Sequence, residues 1–397
     1  MKTIKDFNIK DQKVLIRVDF NVPLKDGVIQ DDARIVKAIP TIEYALEQGA
    51  KVILMSHLGR PKGERNLEFS LKPVADHLSS LLNKPVEFLN DCIGKEVEEK
   101  VDSIEVGQVF LLENLRFHKE ETQNEDSFAE ALSNLGDVYI DDAFGACHRA
   151  HASVEGVTHY LPSAAGFLLS KEVEYFGKAL SEPNRPFVTI LGGAKVSDKI
   201  KLIDNLVNKV DVLLIGGGMS YTFQKALGFS IGDSLLDEAG IEIAKQAIEK
   251  AKEKNVQLLL PEDYHVSTEF NETSDSKVTE TPAIEDGWGG MDIGPKTVEK
   301  FKEVLKDAKT IVWNGPVGVF EMDKYQVGSQ AIADFIGALE ATSIIGGGDT
   351  ASAIKKFNLE DKMSHISTGG GASLELLEGK ELPGIQAILN QSSNAQV

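Results

Sequence analysis

Short apolar, β-branched runs recur along this chain, each closed by a turn and followed by a stretch of helical periodicity. That alternation constrains the fold more than any other feature, because it orders strands and helices in strict succession. In the first half the runs are Val14–Phe20, Lys51–Ser56, Gly107–Leu112 and Asp137–Ile140. In the second they are Phe187–Leu191, Val212–Ile215, Val256–Leu260, Thr310–Trp313 and Thr342–Ile345. Several are apolar almost throughout, as parallel strands covered on both faces must be. Amphipathic stretches lie between them: Ala33–Gln48, Leu71–Leu82, Ser197–Val210, Ile241–Lys254 and Pro295–Lys306. Asp31 or Asp32 is placed to cap the first of these and Gly49 to stop it, while Pro295 suits a first helical turn. The pattern predicts an α/β protein with about six strands in each half.

At about 150 residues per domain, 397 residues imply two or three domains. A boundary is visible near the middle. A polar helical stretch beginning at Ser170 runs into Ser181-Glu182-Pro183-Asn184-Arg185-Pro186, where two prolines stop the helix before the strand at Phe187. The expected division is a first domain over 1–169, a joining helix and hinge over 170–185, and a second domain over 186–383. A cleft beside such a joining helix is the default place for a ligand.

The chemistry is marked by glycine. Gly192-Gly193, Gly216-Gly217-Gly218, Gly346-Gly347-Gly348 and Gly369-Gly370-Gly371 fall just past strand ends. Ligands of open parallel sheets bind there. Glycine lets the backbone approach a phosphate, and the next helix offers free N–H groups. One cluster alone reads as a tight turn; four in one half favour phosphate. The Walker pattern is absent, since Gly192–Ser197 has the wrong spacing. Gly346–Ala351 approaches a dinucleotide fingerprint, yet the acidic residue required about 20 positions later is missing. A nicotinamide-dependent dehydrogenase is therefore disfavoured. Lys195 and Lys199, four apart around a helix start, are expected on one helix face as phosphate ligands. Asp349 is either a helix cap or, with phosphates beside it, a carboxylate for Mg²⁺.

The first half holds a different set. Asp19 and Asn21 alternate to one side after a strand, and Arg34, His57-Leu58-Gly59-Arg60, Glu113-Asn114-Leu115-Arg116 and Cys147-His148-Arg149-Ala150-His151 follow. The chain carries 42 basic and 62 acidic residues, a net charge of −20 that repels nucleic acid and anionic membranes. On so acidic a chain, arginines returning at strand ends mark a local positive pocket for phosphate or carboxylate. A single arginine is better read as a surface ion pair; four beside His57 favour the pocket. The histidines lack metal-ligand spacing and read as donors to an anion. Two cysteines, Cys92 and Cys147, exclude a disulfide framework and suit a reducing compartment. No apolar run reaches the roughly 18 residues of a membrane helix and the start lacks a signal-peptide core, so a soluble, cytoplasmic protein is expected.

These residues resemble the phosphoglycerate kinase family in its bacterial form, from Val14 to the last helix. The motifs that carry the resemblance are Arg17–Pro23, His57–Pro61, Leu112–Phe117, Asp141–Ser153, Gly192–Ile200, Trp313–Glu321, Gly346–Thr350 and Ser367–Glu375. The resemblance implies two Rossmann-like lobes, each a parallel sheet flanked by helices, joined by a hinge helix, with a tail over 384–397 crossing back to the first. It implies transfer of a phosphoryl group between 1,3-bisphosphoglycerate and ADP, giving 3-phosphoglycerate and ATP, in glycolysis. Carried over by motif, Asp19, Asn21, Arg34, His57, Leu58, Gly59, Arg60, Arg116 and Arg149 would hold 3-phosphoglycerate. Lys195, Lys199, Gly290, Asn314, Glu321, Gly347, Gly348, Asp349 and Thr350 would hold the nucleotide, with Asp349 the ligand of Mg²⁺. Arg34, Lys195, Lys199 and the backbone at Gly348 and Gly371 would cover the charge of the transferring group. The resemblance also implies a monomer acting on small molecules. Cys147 reads as a small buried residue rather than a nucleophile, yet the chain departs from the usual pattern at Ala146-Cys147, where Thr-Ala is common, which raises an expectation of thiol-reagent sensitivity. A protein that keeps the nucleotide pocket without catalysis is the remaining rival, disfavoured because the matched charged residues are all present.

Overall fold

The structure is a computed structural model that describes residues 1–394. The chain divides into two compact units. One comprises Met1–Glu174 with the segment from Glu381 onward, and the other comprises Tyr175–Lys380. The helix Phe167–Ser181 runs from the first into the second.

Unit 1 is built on β1 (Lys13–Arg17), β4 (Lys51–Met55), β5 (Val86–Leu89), β6 (Val109–Leu112), β7 (Val138–Asp141) and β8 (Ser163–Ala165). A small antiparallel hairpin, β2 (Leu24–Lys25) with β3 (Val28–Ile29), lies outside the main sheet. The sheet order is β5-β6-β4-β1-β7-β8, parallel throughout. Alternation along each strand feeds two cores. Val14, Ile16, Val52 and Leu54 enter one cluster with Ile35 and Val74, whereas Leu15, Ile53, Met55 and Phe110 enter another with Phe128 and Leu132. Both faces are thus covered, which is why these strands read as unbroken apolar runs.

Unit 2 carries β9 (Phe187–Leu191), β10 (Val212–Ile215), β11 (Gln257–Leu259), β15 (Thr310–Asn314), β16 (Thr342–Gly346) and β17 (His365–Ile366) in the parallel order β11-β10-β9-β15-β16-β17. Numbered within this sheet, that is the dinucleotide-fold order 3-2-1-4-5-6. Unit 1 departs from it as 3-4-2-1-5-6. A three-stranded antiparallel sheet, β12 (Tyr264–Ser267), β13 (Ser276–Val278) and β14 (Gly289–Ile293), adds a side wall to unit 2.

The helix Pro383–Asn394 returns to unit 1. The Gly384 N–H donates to the Cys147 carbonyl (3.0 Å), and Ile388 joins the core around Phe128 and Tyr139. Residues 395–397 of the expected tail lie outside the described residues. No helix among the described residues is long and apolar enough to cross a membrane.

Asp142, just past β7, starts the helix Phe167–Ser181: its Oδ1 accepts the N–H groups of Leu168 (2.9 Å) and Leu169 (3.2 Å). Burial pushes this carboxyl up to about 8, although hydrogen bonds from Thr41 and the helix N–H groups oppose the shift. An acid raised in the fold stabilises it most below its unfolded value and loses that contribution as pH climbs through the folded one. Between pH 7 and 9 the protein should lose about 1.4 kcal/mol through this group. Asp142→Asn keeps an acceptor and removes the proton, so its urea midpoint should change far less over that interval. Equal pH slopes in the two proteins would refute the assignment.

Candidate active site

In unit 1 the carboxyl ends of β1, β4 and β6 converge. Arg17 closes β1 and is fully buried. Its Nε donates to Ser153 Oγ (2.8 Å), one terminal nitrogen to the Val18 carbonyl (2.5 Å), and the other to His57 Nδ1 (3.1 Å). A guanidinium cannot accept, so Nδ1 accepts and the imidazole proton sits on Nε2. Burial, then the positive fields of Arg17, Arg116 and Arg34, hold His57 well below its ordinary value. It is a neutral donor of fixed tautomer. Ser153 passes the chain on to the buried Glu121, donating its hydroxyl (2.5 Å) and its N–H (3.0 Å) to the two carboxylate oxygens.

Asn114, after β6, clamps the loop after β4. Its Oδ1 accepts the N–H groups of Leu58 (3.2 Å) and Arg116 (3.0 Å), and its Nδ2 donates to the carbonyls of Leu58 (2.7 Å) and Phe69 (2.9 Å). Asn21 Oδ1 takes the Gly59 N–H (2.9 Å), and Arg116 gives one terminal N–H to the Gly59 carbonyl (3.0 Å). Gly59 needs its left-handed φ of +61°, and a Cβ there would stand 2.3 Å from the Phe69 ring. Arg34, on the helix Ala33–Glu47, donates to the Asn21 carbonyl (2.9 Å) and to Asp19 Oδ1 (3.3 Å). Arg60 and Arg149 are exposed. Burial, then Arg116, Arg17 and Arg149, push His151 down to about 3, so it too is neutral. The Arg116 Nε is buried without a hydrogen-bond partner. An unsatisfied guanidinium N–H among four other arginines points to an anion as the missing acceptor.

Sequence reasoning included Arg17 in a motif yet gave it no role, and it missed Glu121, Ser153 and the clamp at Asn114. Cys147 is fully buried, and burial followed by the charge of Asp141 raises its thiol well above the ordinary value. The expected thiol-reagent sensitivity is therefore not supported at this residue: neither access nor thiolate is available in the folded unit.

In unit 2 the strand order reverses between β9 and β15. The Gly192 N–H donates to the Asn314 carbonyl (3.0 Å), and a Cβ on Gly192 would lie 2.0 Å from the Pro316 carbonyl oxygen. Only glycine lets these two loops cross. Beside the crossing opens a cavity of about 780 Å³, walled by Tyr221, Leu235, Met291 and Val319, with Glu321 at one side. Gly290 lies on β14 against Tyr221, whose ring a Cβ would meet at 2.2 Å. The size and apolar lining suit a planar ring system.

The remaining nucleotide candidates gather next to that cavity rather than in it. Lys199 Nζ donates to Asn314 Oδ1 at the end of β15. Burial lowers the Lys199 ammonium, while Asp198, Asp349 and Glu378 oppose the shift. Gly347, at φ +89°, precedes the helix Gly348–Lys356, and Thr350 Oγ1 accepts the Gly315 N–H (2.7 Å). Asp349 is exposed in the first turn of that helix. Gly371 begins a separate short helix, Gly371–Leu377, after β17. One expectation is corrected. Lys195 and Lys199 do not share an α-helical face, because Lys195 lies in the loop and Lys199 in a 3₁₀ turn, with the α-helix starting at Ile200. The Asp237 carboxylate accepts the Ser197 N–H (2.9 Å) and fixes that tighter turn.

The comparisons with known proteins agree on one family. The phosphoglycerate kinase family model matches residues 4–380. A phosphoglycerate kinase of Moorella thermoacetica is 54% identical over 386 residues, which is 97% of this chain and 98% of that protein. One of Clostridium tetani is 54% identical over 390 residues, 98% of this chain and 97% of that protein. Among solved structures, phosphoglycerate kinase of Coxiella burnetii superposes with a TM-score of 0.90 at 45% identity, covering 98% of this chain and 99% of that one. The chain belongs to the phosphoglycerate kinase family.

Proposed function

We propose that unit 1 holds 3-phosphoglycerate in its arginine pocket and unit 2 holds ATP or ADP, and that the chain exchanges a phosphoryl group between them. The reaction follows from family membership over the whole chain. The residue roles rest chiefly on one observation: the unsatisfied, buried Arg116 Nε beside a neutral His57 whose Nε2–H is free to donate.

The attacking group is the substrate's own carboxylate. With a pKa of about 4 it is ionised at neutral pH, so no general base is needed. Its oxygen forms the new bond to the γ-phosphorus while the bond to the β,γ-bridging oxygen breaks, and ADP leaves with that electron pair. The protein's task is in-line positioning and electrostatic cover. His57 and Arg116 orient the acceptor, with Arg60 and Arg149 adding positive charge at its phosphate. Arg34 faces the carboxylate end. In unit 2 the adenine enters the cavity at Gly290 and Tyr221, Glu321 takes the ribose hydroxyls, and Lys195, Lys199, Asn314 and Gly347–Thr350 receive the phosphates. Gly348 and Gly371 contribute backbone N–H groups to the transferring group.

Asp349 suits Mg²⁺ because it is a single exposed carboxylate next to the phosphate-binding turn, and Mg²⁺ takes one or two protein carboxylates with phosphate oxygens and water. When bound, the ion supplies charge neutralisation on the phosphates. Since each substrate site is built within one unit, turnover requires a closed arrangement that aligns the two ligands and excludes water.

The test is ATP-dependent formation of an acyl phosphate from 3-phosphoglycerate and Mg²⁺, trapped with hydroxylamine. Robust trapping supports the reading. A folded protein that binds ATP yet forms no acyl phosphate would leave only a nucleotide-binding module.

A further inference from the structure

Unit 1 contains a second cluster of reactive side chains that the phosphoryl transfer does not use. Asp91 and Cys92 follow β5, and His118 ends the turn after β6. Because β5 and β6 pair with Leu89 opposite Leu112, the loops at their carboxyl ends meet, and the Glu113 N–H reaches the Asp91 carbonyl (3.4 Å). A carboxylate oxygen, the Cys92 sulfur and an imidazole nitrogen of His118 all lie within 4.8 Å of one another, the one such group of three among the described residues. We propose that Asp91, Cys92 and His118 form a binding site for one thiophilic divalent cation of the Zn²⁺ class.

The donor set selects the ion. Thiolate, imidazole and carboxylate are the three ligand types Zn²⁺ takes, and three protein ligands leave a fourth position for water. Magnesium would be rejected, since a sulfur donor suits a softer ion. The ligands are held unequally. Cys92 is fully buried and fixed by the core, and burial followed by the charges of Asp91, Glu121 and Glu113 holds its thiol well above the ordinary value, so the thiolate forms only as the ion displaces its proton. The His118 ring is packed against Phe128 with centroids 5.3 Å apart. Asp91 is 45% exposed, and its Oδ1 accepts the Cys92 N–H (2.7 Å) as well as bonding His118 Nε2 (2.7 Å). The bond to His118 must open on binding, because the two atoms share a proton at 2.7 Å whereas two ligands on a tetrahedral Zn²⁺ sit roughly 3.3 Å apart. Binding therefore displaces that shared proton and the thiol proton, and both pass to solvent.

The surroundings favour a cation. Glu113 and Glu121 act on Cys92 and Glu120 on His118, with Arg65 opposing at His118, while Lys95 and Lys100 face Glu87, Glu96 and Glu99 around the adjoining cavity. Arg65 is tied away to the Asn90 carbonyl (2.7 Å) and lies over the Phe117 ring. A cavity of about 760 Å³ borders Asp91 and Asn90, so an ion would enter past the Asp91 carboxylate. Occupation would tie the loop after β5 to the turn that carries Arg116, two residues before His118.

The test is titration of the reduced, chelator-treated full chain with Co²⁺, followed by displacement with Zn²⁺. One equivalent of Co²⁺ should produce a thiolate-to-cobalt charge-transfer band that Zn²⁺ abolishes. His118→Gln and Asp91→Asn alter partly exposed side chains at loop positions, and each should weaken Co²⁺ binding by at least about tenfold. Cys92→Ser should eliminate the band; should that buried substitution prevent folding, the other two variants decide. No thiolate band, a band that survives in Cys92→Ser, or affinity unchanged in both His118→Gln and Asp91→Asn would overturn the proposal.

Discussion

Replacing Arg34 by alanine is expected to lower kcat by at least about a hundredfold, the scale seen when one preorganised charge donor is lost from a transition state. The contacts of the side chain leave most of its guanidinium available for that role. Arg34 spends one terminal nitrogen on the Asn21 carbonyl and the Asp19 carboxylate, is about a third exposed, and leaves the rest of its guanidinium uncommitted. Asp19 is buried, at 8% exposure, but its Oδ1 also accepts the Asn21 N–H, so loss of the partly exposed Arg34 should cost about 1–3 kcal/mol of stability and leave the unit folded. His57 and Arg116 remain to bind the acceptor, so KM for 3-phosphoglycerate should change much less than kcat. Arg34→Lys retains the charge without the planar fork and should fall between the two. A kcat for Arg34→Ala within threefold of the parent would remove Arg34 from the chemistry, whatever happened to KM.

The sequence disclosed most where periodicity and burial agree. β9 and β10 are legible to the residue because Phe187–Leu191 and Val212–Ile215 are buried at every position and apolar at all but Thr189. β1 ends earlier than its apolar run, at Arg17, because beyond it the backbone turns to its neighbour: the Phe20 N–H donates to Ser56 Oγ (2.9 Å). β5, at a sheet edge with alternating exposure, and β8, three small residues long, carry too weak a pattern to stand out. The arginines of unit 1 were legible because they follow strand ends. The direction each points was not. Arg60 and Arg149 reach solvent, while Arg17 turns inward to a serine 136 residues along the chain. No local spacing signals such a contact, and a lone buried glutamate such as Glu121 has no motif at all.

That hidden contact carries the other large effect. Arg17→Met should destabilise unit 1 by about 3–5 kcal/mol, because it removes the larger of the two positive charges, Arg17 and Arg116, that offset the burial of the Glu121 carboxylate. For a unit of this size the loss corresponds to a drop of roughly 10 °C in its melting transition. The damage has a chemical signature that a cavity would lack. Burial already raises the Glu121 carboxyl and Arg17 opposes that rise, so without Arg17 it should rise further. An acid raised in the fold stabilises it at low pH and loses that contribution as pH climbs, so the deficit of Arg17→Met should shrink on going from neutral pH towards pH 5. Glu121→Gln in the same background should restore part of the stability at neutral pH, since the amide removes the buried charge while still bonding Ser153. A double-mutant cycle should therefore return a coupling of about 1–3 kcal/mol, and additivity within about 0.5 kcal/mol would mean that the two charges do not sense each other. Recovery of KM for 3-phosphoglycerate should not accompany recovery of stability. His57 would still lack the donor that sets its tautomer, and its Nε2 proton would no longer be held for the substrate.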